Sequence, residues 1–472
     1  MLFSSVLFLF RFLPAALILY YISPARLKNL TLFLCSLVFY SWGEIKYLWI
    51  MAVVILVNYA GAIAIGRSDN RISRGLFLAL SVAGSLSMLL YFKYAGFFIS
   101  TAAQILRFDA PEIKAIVLPL GISFYTFQSM SYTIDVFRQK VEYERNIINF
   151  GAYVAMFPQL IAGPIVRYSD ISEKLHILKG RFDAARVEEG VSLFVFGLAK
   201  KVLLADGVNM LWADIVGTYS DGRIVAEGIG LANASTPLAW LGVIAYALYI
   251  YNDFSGYSLM GIGLGKMLGF DFPSNFDLPY VSRSITEFWR RWHMTLSSWF
   301  REYIYIPLGG NRKGLPRQML NLFIVWLLTG FWHGAGWNFI LWGMYYCVFL
   351  IVEKLFLLKP LEKGKVWPRL YTLLVVVVGW AIFAANDPGV GLGLIINKLF
   401  IPQGGVSLLY FARNYGGILI VAALFSSGIP MKLYVKVKDV VCVRIAVTLL
   451  LFTACLAYIA SGGYKPFLYF NF

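Results

Sequence analysis

Apolar runs near or above the ~18 to 20 residues that cross a hydrocarbon layer recur from the first residues of this chain to the last. In lipid a helix satisfies its own backbone hydrogen bonds, so the recurrence predicts an all-α polytopic membrane protein. Composition points the same way. Of 472 residues, 59% are hydrophobic and 14% charged, the latter about half the ~25% usual in soluble domains. Residues 1–22 read as a first span rather than a cleaved signal, because they lack a basic start and an Ala-x-Ala site.

The net charge of +16 does not mark a nucleic-acid binder, since lysine and arginine fall in short clusters between apolar segments, the pattern that sets membrane orientation. With the amino terminus outside, successive returns of the chain land on Arg26 and Lys28, on Arg67, Arg71 and Arg74, and on Arg138, Lys140 and Arg145. Continued to the end, this gives about eleven transmembrane helices, the candidates after 1–22 being 30–41, 47–65, 76–94, 116–136, 191–205, 238–270, 320–331, 339–355, 370–385, 416–425 and 447–460. Both termini are then extracytoplasmic. The chain reads as a single transmembrane domain with N-terminal spans (1–110), a core of re-entrant and interfacial segments (111–357), C-terminal spans (358–460) and an external aromatic tail (461–472).

Several stretches depart from plain spans. Residues 150–166 are apolar yet hold Pro158, Gly163 and Pro164 between basic flanks, which predicts a broken or re-entrant segment. Lys200 and Lys201 fall inside the 191–205 span, where they must face a cavity, snorkel or pair. Residues 206–237 are nearly free of basic residues and read mostly as an external loop. Gly261, Gly265 and Gly269 stand four apart, a spacing that lets helices approach closely in lipid. Residues 288–308 interleave Trp289, Trp292 and Trp299 with Arg290, Arg291, His293 and Arg301, the composition of a helix lying at the cytoplasmic interface.

The chain has three histidines. His176 lies among Glu173, Lys174 and Lys179 and reads as a solvated loop residue. His333 sits in WHGAGWNFILWG, residues 332–343, inside an apolar region. An ionisable group at membrane depth costs several kcal/mol unless it faces a polar cavity or is paired, so both a functional role and an interfacial hydrogen bond are open for it. His293 is likewise open to a functional role or to capping within its Trp/Arg segment. Cys35, Cys347, Cys442 and Cys455 lie in apolar stretches without metal-ligand spacing and read as core residues. No Gly-x-Ser-x-Gly, phosphate loop, His-Glu-x-x-His or Cys-x-x-Cys-His string occurs. The chemistry left is general-base catalysis by a desolvated, neutral imidazole that takes a proton from a hydroxyl.

The 332–343 string resembles the signature of the membrane-bound O-acyltransferases, specifically the bacterial branch that serves alginate O-acetylation, peptidoglycan O-acetylation and D-alanyl transfer to lipoteichoic acid. LPLGISFY (118–125), FPQLIAGP (157–164), DFSGYS (253–258), SITEFWRRWH (284–293), LGGNR (308–312) and residues 1–5 are similar to the same branch, so the resemblance covers nearly the whole chain. Leu259 departs from it, standing where relatives tend to carry aspartate. The resemblance implies a ring of spans around a thinned centre, and His333 as the catalytic histidine in a tunnel between the two faces. It implies His293 as a second histidine near the cytoplasmic entrance, and Trp332, Asn338, Asp253, Arg290 and Arg291 as donor-binding or tunnel residues. FLYFNF (467–472) fits the branch's terminal acyl-handling pattern, which makes Tyr469 a candidate acyl relay; an aromatic membrane anchor is the other reading.

The function implied is O-acyl transfer at the bacterial inner membrane, moving acetyl from a cytoplasmic thioester to an extracytoplasmic polysaccharide such as alginate or peptidoglycan. The donor expected is acetyl-CoA, with an acyl carrier protein as the alternative, and a basic Arg290/Arg291/Arg312/Lys313 surface suits either acidic donor. The expected partners are an esterase-like extracytoplasmic transferase and membrane lipid, with no metal and no nucleic acid. A secondary transporter would share the broken helices, but the chain shows no duplicated halves and no carboxylate chain at membrane depth. A non-catalytic scaffold is the third reading.

Overall fold

The computed structural model describes residues 1–108, 118–160, 163–177, 182–220, 223–387 and 389–462. Tyr469 and the aromatic tail from residue 463 lie outside the described residues, as do Ile161 and Ala162 of the FPQLIAGP string. The first helices are α1 (Leu13–Ile22), α2 (Lys28–Glu44), α3 (Leu48–Arg67), α4 (Arg71–Leu89), α5 (Ala95–Leu106), α6 (Ile122–Phe137), α7 (Ile147–Ala155) and α8 (Tyr168–Ile177). Next come α9 (Ala184–Ala199), α10 (Asp206–Val216), α11 (Thr236–Met267), α12 (Ile285–Arg291), α13 (Met294–Phe300), α14 (Leu315–His333) and α15 (Trp337–Val352). The last are α16 (Leu358–Lys363), α17 (Trp367–Ala384), α18 (Leu392–Phe400), α19 (Leu408–Ser427), α20 (Ile429–Val435) and α21 (Val441–Ala460). A short antiparallel hairpin joins β1 (Thr218–Ser220) to β2 (Arg223–Ala226).

Six helical stretches among the described residues are long and apolar enough to cross a membrane: Lys28–Arg67, Arg71–Leu106, Trp337–Lys363, Trp367–Ala384, Leu408–Ser427 and Val441–Ala460. The spans expected at 30–41 and 47–65 are halves of the first, parted by a single 3-10 turn at Ile45–Tyr47. Along α21, Leu449 and Leu450 are exposed while Cys455 is buried, the arrangement of a helix whose outer face meets lipid. The protein is a multi-pass membrane protein. Its chain divides into two compact units, Met1–Phe194 with Tyr257–Ser274, and Val195–Gly256 with Asn275–Phe472.

In the first unit, α3, α4 and α6 share a buried polar clasp. The Asn58 amide donates to Ser85 Oγ at 2.7 Å, and Thr133 Oγ1 donates to Asn58 Oδ1 at 2.8 Å. Such bonds hold helices together where lipid supplies no hydrophobic drive between them. The broken segment expected at 150–166 ends α7 at Ala155: Met156 has ψ 112°, and Pro158 follows in an irregular turn with no N–H to donate. A Cβ on Gly261 would come within 2.6 Å of the Pro158 carbonyl oxygen, so α11 seats against that turn at a glycine. The stripe expected through Gly261, Gly265 and Gly269 is shorter, because α11 stops at Met267 and Gly269 turns the chain with φ +91°.

In the second unit a single π-helical turn, Lys200–Ala205, joins α9 to α10. Lys201 Nζ lies 2.6 Å from Asp206 Oδ1 and 2.9 Å from Asp253 Oδ1, all three side chains being buried. Lys200 Nζ sits 4.4 Å from the centre of the Tyr251 ring. The external loop expected from residue 206 therefore begins later, because Asp206 neutralises Lys201 within the helix and α10 runs on to Val216, where Gly217 ends it with φ +96°. The interfacial helix expected at 288–308 is also corrected. It breaks at His293, whose φ is +43°, and Trp289, Trp292 and Trp299 are buried in protein contacts.

These close approaches separate two kinds of glycine. Gly261→Ala is expected to lower thermal stability in detergent by about 1–3 kcal/mol through overpacking. Gly75→Ala in α4, where a Cβ meets nothing within 4 Å, is expected to be neutral or to gain up to ~1 kcal/mol of helix propensity. Thermal unfolding of the two purified variants beside wild type measures both, and equal destabilisation would remove the seating argument.

Candidate active site

α12 is seven residues long, too short to hold itself in place, and its start is fixed from outside. Ser284 Oγ accepts the Glu287 N–H at 2.9 Å, while Glu287 Oε2 accepts the Arg283 N–H at 2.8 Å, a capping box shifted by one residue at its return bond. The buried Glu353 carboxylate accepts the N–H groups of Ile285 and Thr286 at 2.6 and 2.8 Å and the Thr286 hydroxyl at 2.7 Å. A carboxylate at a helix N-terminus meets both unpaired N–H groups and the positive end of the dipole.

The chain then turns at His293. Asn275 holds the turn, its carbonyl oxygen accepting the Met294 N–H at 2.9 Å. Its side-chain Oδ1 accepts from the Thr295 N–H at 3.3 Å and the Thr295 hydroxyl at 2.8 Å, and lies 3.0 Å from His293 Nδ1. His293 is 1% exposed. It lies between two short helices, outside the spanning stretches, and burial pushes its imidazole down to about 3, so the ring is neutral at physiological pH.

His333 is the last residue of α14, and α15 begins at Trp337. Glycines let the two helices touch: a Cβ on Gly330 would come 2.5 Å from the Phe339 carbonyl oxygen, and one on Gly343 2.4 Å from that of Trp326. Gly330, just ahead of the 332–343 string, and Gly343 within it therefore serve a close crossing that carries His333 at its end. Aromatic edges surround the imidazole, with ring centres at 4.8 Å for Trp342, 4.9 Å for Trp332 and 5.5 Å for Phe383. Trp332 also stands 5.9 Å from His293, which puts it beside both histidines.

One cavity of about 230 Å³ brings the two histidines together. Trp289, Leu296, Trp326, Thr329 and Leu350 line it with them, and Thr286, Ser297, Arg290 and Arg301 add polar groups. Both arginines are exposed and both histidines buried, so the cavity joins a cationic edge to two buried imidazoles. That arrangement can receive an anionic ligand at one side and transfer a proton at the other.

Other expected residues lie elsewhere. Arg291 is half-buried in pairs with Glu287 at 3.0 Å and Asp277 at 3.1 Å, outside the cavity lining. Asp253 belongs to the Lys201 cluster. Asn338 Nδ2 donates to the Phe383 carbonyl at 3.3 Å, bracing the start of α15. His176, expected in a solvated loop, is part of α8 with Nε2 2.8 Å from Glu144. Arg301, Asn275 and Glu353 were not singled out by the sequence as site residues. Arg301 carried a signal as one more basic residue in the tryptophan segment; Asn275 and Glu353 carried none, being far along the chain from what they hold. Among the described residues no group of three or more His, Cys, Asp or Glu side chains is placed to hold a metal ion.

Comparison with known proteins joins this geometry to a family. The sequence model of the membrane-bound O-acyltransferase family matches residues 34–386. A probable alginate O-acetylase of Azotobacter vinelandii is 43% identical over 82% of this chain and 76% of its own length. One from Pseudomonas putida is 39% identical over the full length of both. A peptidoglycan O-acetyltransferase of Helicobacter pylori is 32% identical over 88% of this chain and 82% of its own. The aromatic, glycine-bounded histidine and the span-rich chain around it therefore have an assigned lineage: the protein is an enzyme of the membrane-bound O-acyltransferase family.

Proposed function

We propose that this enzyme takes acetyl from a cytoplasmic thioester, acetyl-CoA, and passes it outward for O-acetylation of an extracytoplasmic polysaccharide, alginate-like or peptidoglycan, at the bacterial inner membrane. The observation that carries the reading is the single cavity lined by buried His333 and His293 and by exposed Arg290 and Arg301. Its volume, about 230 Å³, is below the ~300–1,000 Å³ of pockets for drug-sized ligands. It suits the reacting end of a thioester bearing a short acyl group, with the arginines drawing in the phosphates of the donor.

His333 acts as general base in this scheme. The imidazole takes the proton of the acceptor hydroxyl as its oxygen attacks the thioester carbonyl; the C–S bond breaks, and the thiolate leaves with the proton returned by the imidazolium. The aromatic enclosure keeps water from competing for the thioester. Tyr469 is proposed as the first acceptor, its acetyl ester being handed to the polymer by an esterase-like partner outside. The scheme takes both termini as extracytoplasmic, which brings Tyr469 to the partner's side.

In membranes carrying the chain, His333→Ala is expected to cut transfer of labelled acetyl from acetyl-CoA by about 10²–10⁴-fold at unchanged protein level. Unchanged transfer would return the transporter and scaffold readings, and activity only with an acylated carrier protein would replace acetyl-CoA as donor. In parallel, Tyr469→Phe is expected to abolish label retained on the chain and polymer acetylation together. Full polymer acetylation by that variant would remove the relay.

A further inference from the structure

Asn275 does more than hold the break between α12 and α13. The Thr295 backbone N–H, 3.3 Å from the asparagine side chain, can only donate, so the atom facing it is the amide oxygen and not the amide nitrogen. That oxygen is also 3.0 Å from His293 Nδ1. An amide oxygen only accepts, so Nδ1 must carry the hydrogen, and a neutral imidazole with Nδ1 protonated keeps its lone pair on Nε2. His293 is 1% exposed, its ring set edge-on against Phe254 at 4.8 Å. Its Nε2 meets no hydrogen-bond partner among the described residues, although the residue lines the cavity shared with His333. Buried acceptors are ordinarily satisfied, and this one is left open in a residue that lines the cavity.

We infer that Asn275 is a positioning residue that holds His293 as its Nδ1–H tautomer, so that Nε2 of this cavity-lining residue keeps its lone pair as acceptor for an N–H or O–H of the bound substrate. Three contacts on one oxygen give the device its rigidity: the Thr295 N–H and hydroxyl orient the amide, and the amide orients the ring. The tautomer itself is independent of the proposed acyl transfer; only the kinetic consequence rests on that reading.

Solid-state NMR of the full-length protein in bilayers, with 15N-labelled histidine, reads the tautomer directly. The chain has three histidines, so spectra of His176→Gln and His333→Gln assign the ring nitrogens of His293. A protonated Nδ1 and an unprotonated Nε2 are expected in wild type. Asn275→Leu is expected to move the hydrogen wholly or partly to Nε2 and to lower kcat for acetyl transfer by roughly 10²-fold with a smaller change in KM. Asn275→Asp, which keeps an oxygen acceptor, is expected to keep Nδ1 protonated. A wild-type spectrum with hydrogen on Nε2 would overturn the inference even if Asn275→Leu fails to fold, as would an unchanged tautomer in Asn275→Leu or loss of the Nδ1 hydrogen in Asn275→Asp. A confirmed tautomer with no kinetic effect would count against the proposed substrate contact alone.

Discussion

A polar group taken out of water must be met by partners inside the protein, and lipid offers none. Much of this molecule is arranged around that requirement. Lys201 is neutralised by Asp206 from its own helix and Asp253 from α11; Asn58 is shared by Ser85 and Thr133; Glu353 takes up the first N–H groups of α12. Removing one member of such a set leaves the others buried and unpaired, which costs more than the bond itself contributes.

The same requirement explains why the site lies where helices stop. A continuous helix turns its backbone groups inward on itself and presents side chains alone. At the break after His333 and at the turn on His293, the chain ends a helix; glycine follows the first, and at the second His293 itself takes the left-handed backbone, braced by Asn275. Each break delivers an imidazole into a space walled by tryptophan. Burial there keeps His293 neutral, and a neutral imidazole is the form that can accept a proton or a hydrogen bond.

Particular residues show how far the amino-acid sequence could be read. The 332–343 string announced both the helix break and its histidine, because glycine, aromatic and imidazole groups inside an apolar run have few structural uses together. Pro158 announced the end of α7 for the same kind of local reason. Lys200 and Lys201 announced that something must pair with them but not what, since Asp253 lies more than fifty residues away. The tryptophans of 288–308 misled: their spacing matches an interfacial helix, yet a left-handed turn at His293 folds them into the interior. Arg291 looked equivalent to Arg290 and is instead committed to Glu287 and Asp277.

By itself the sequence determined that this is a helical membrane protein of the acyltransferase type with a histidine at a helix break, because hydropathy, proline, glycine and short motifs act over a few neighbouring residues. Tertiary structure alone decided that His293 and His333 share one cavity, that Arg301 belongs to its edge while Asp253 and Asn338 do not, and that Asn275 and Glu353 hold the helix ends around it. Those are contacts across tens of residues. They arise from which helix faces meet, and a hydrogen bond a few ångströms long leaves no periodicity in the chain to announce it.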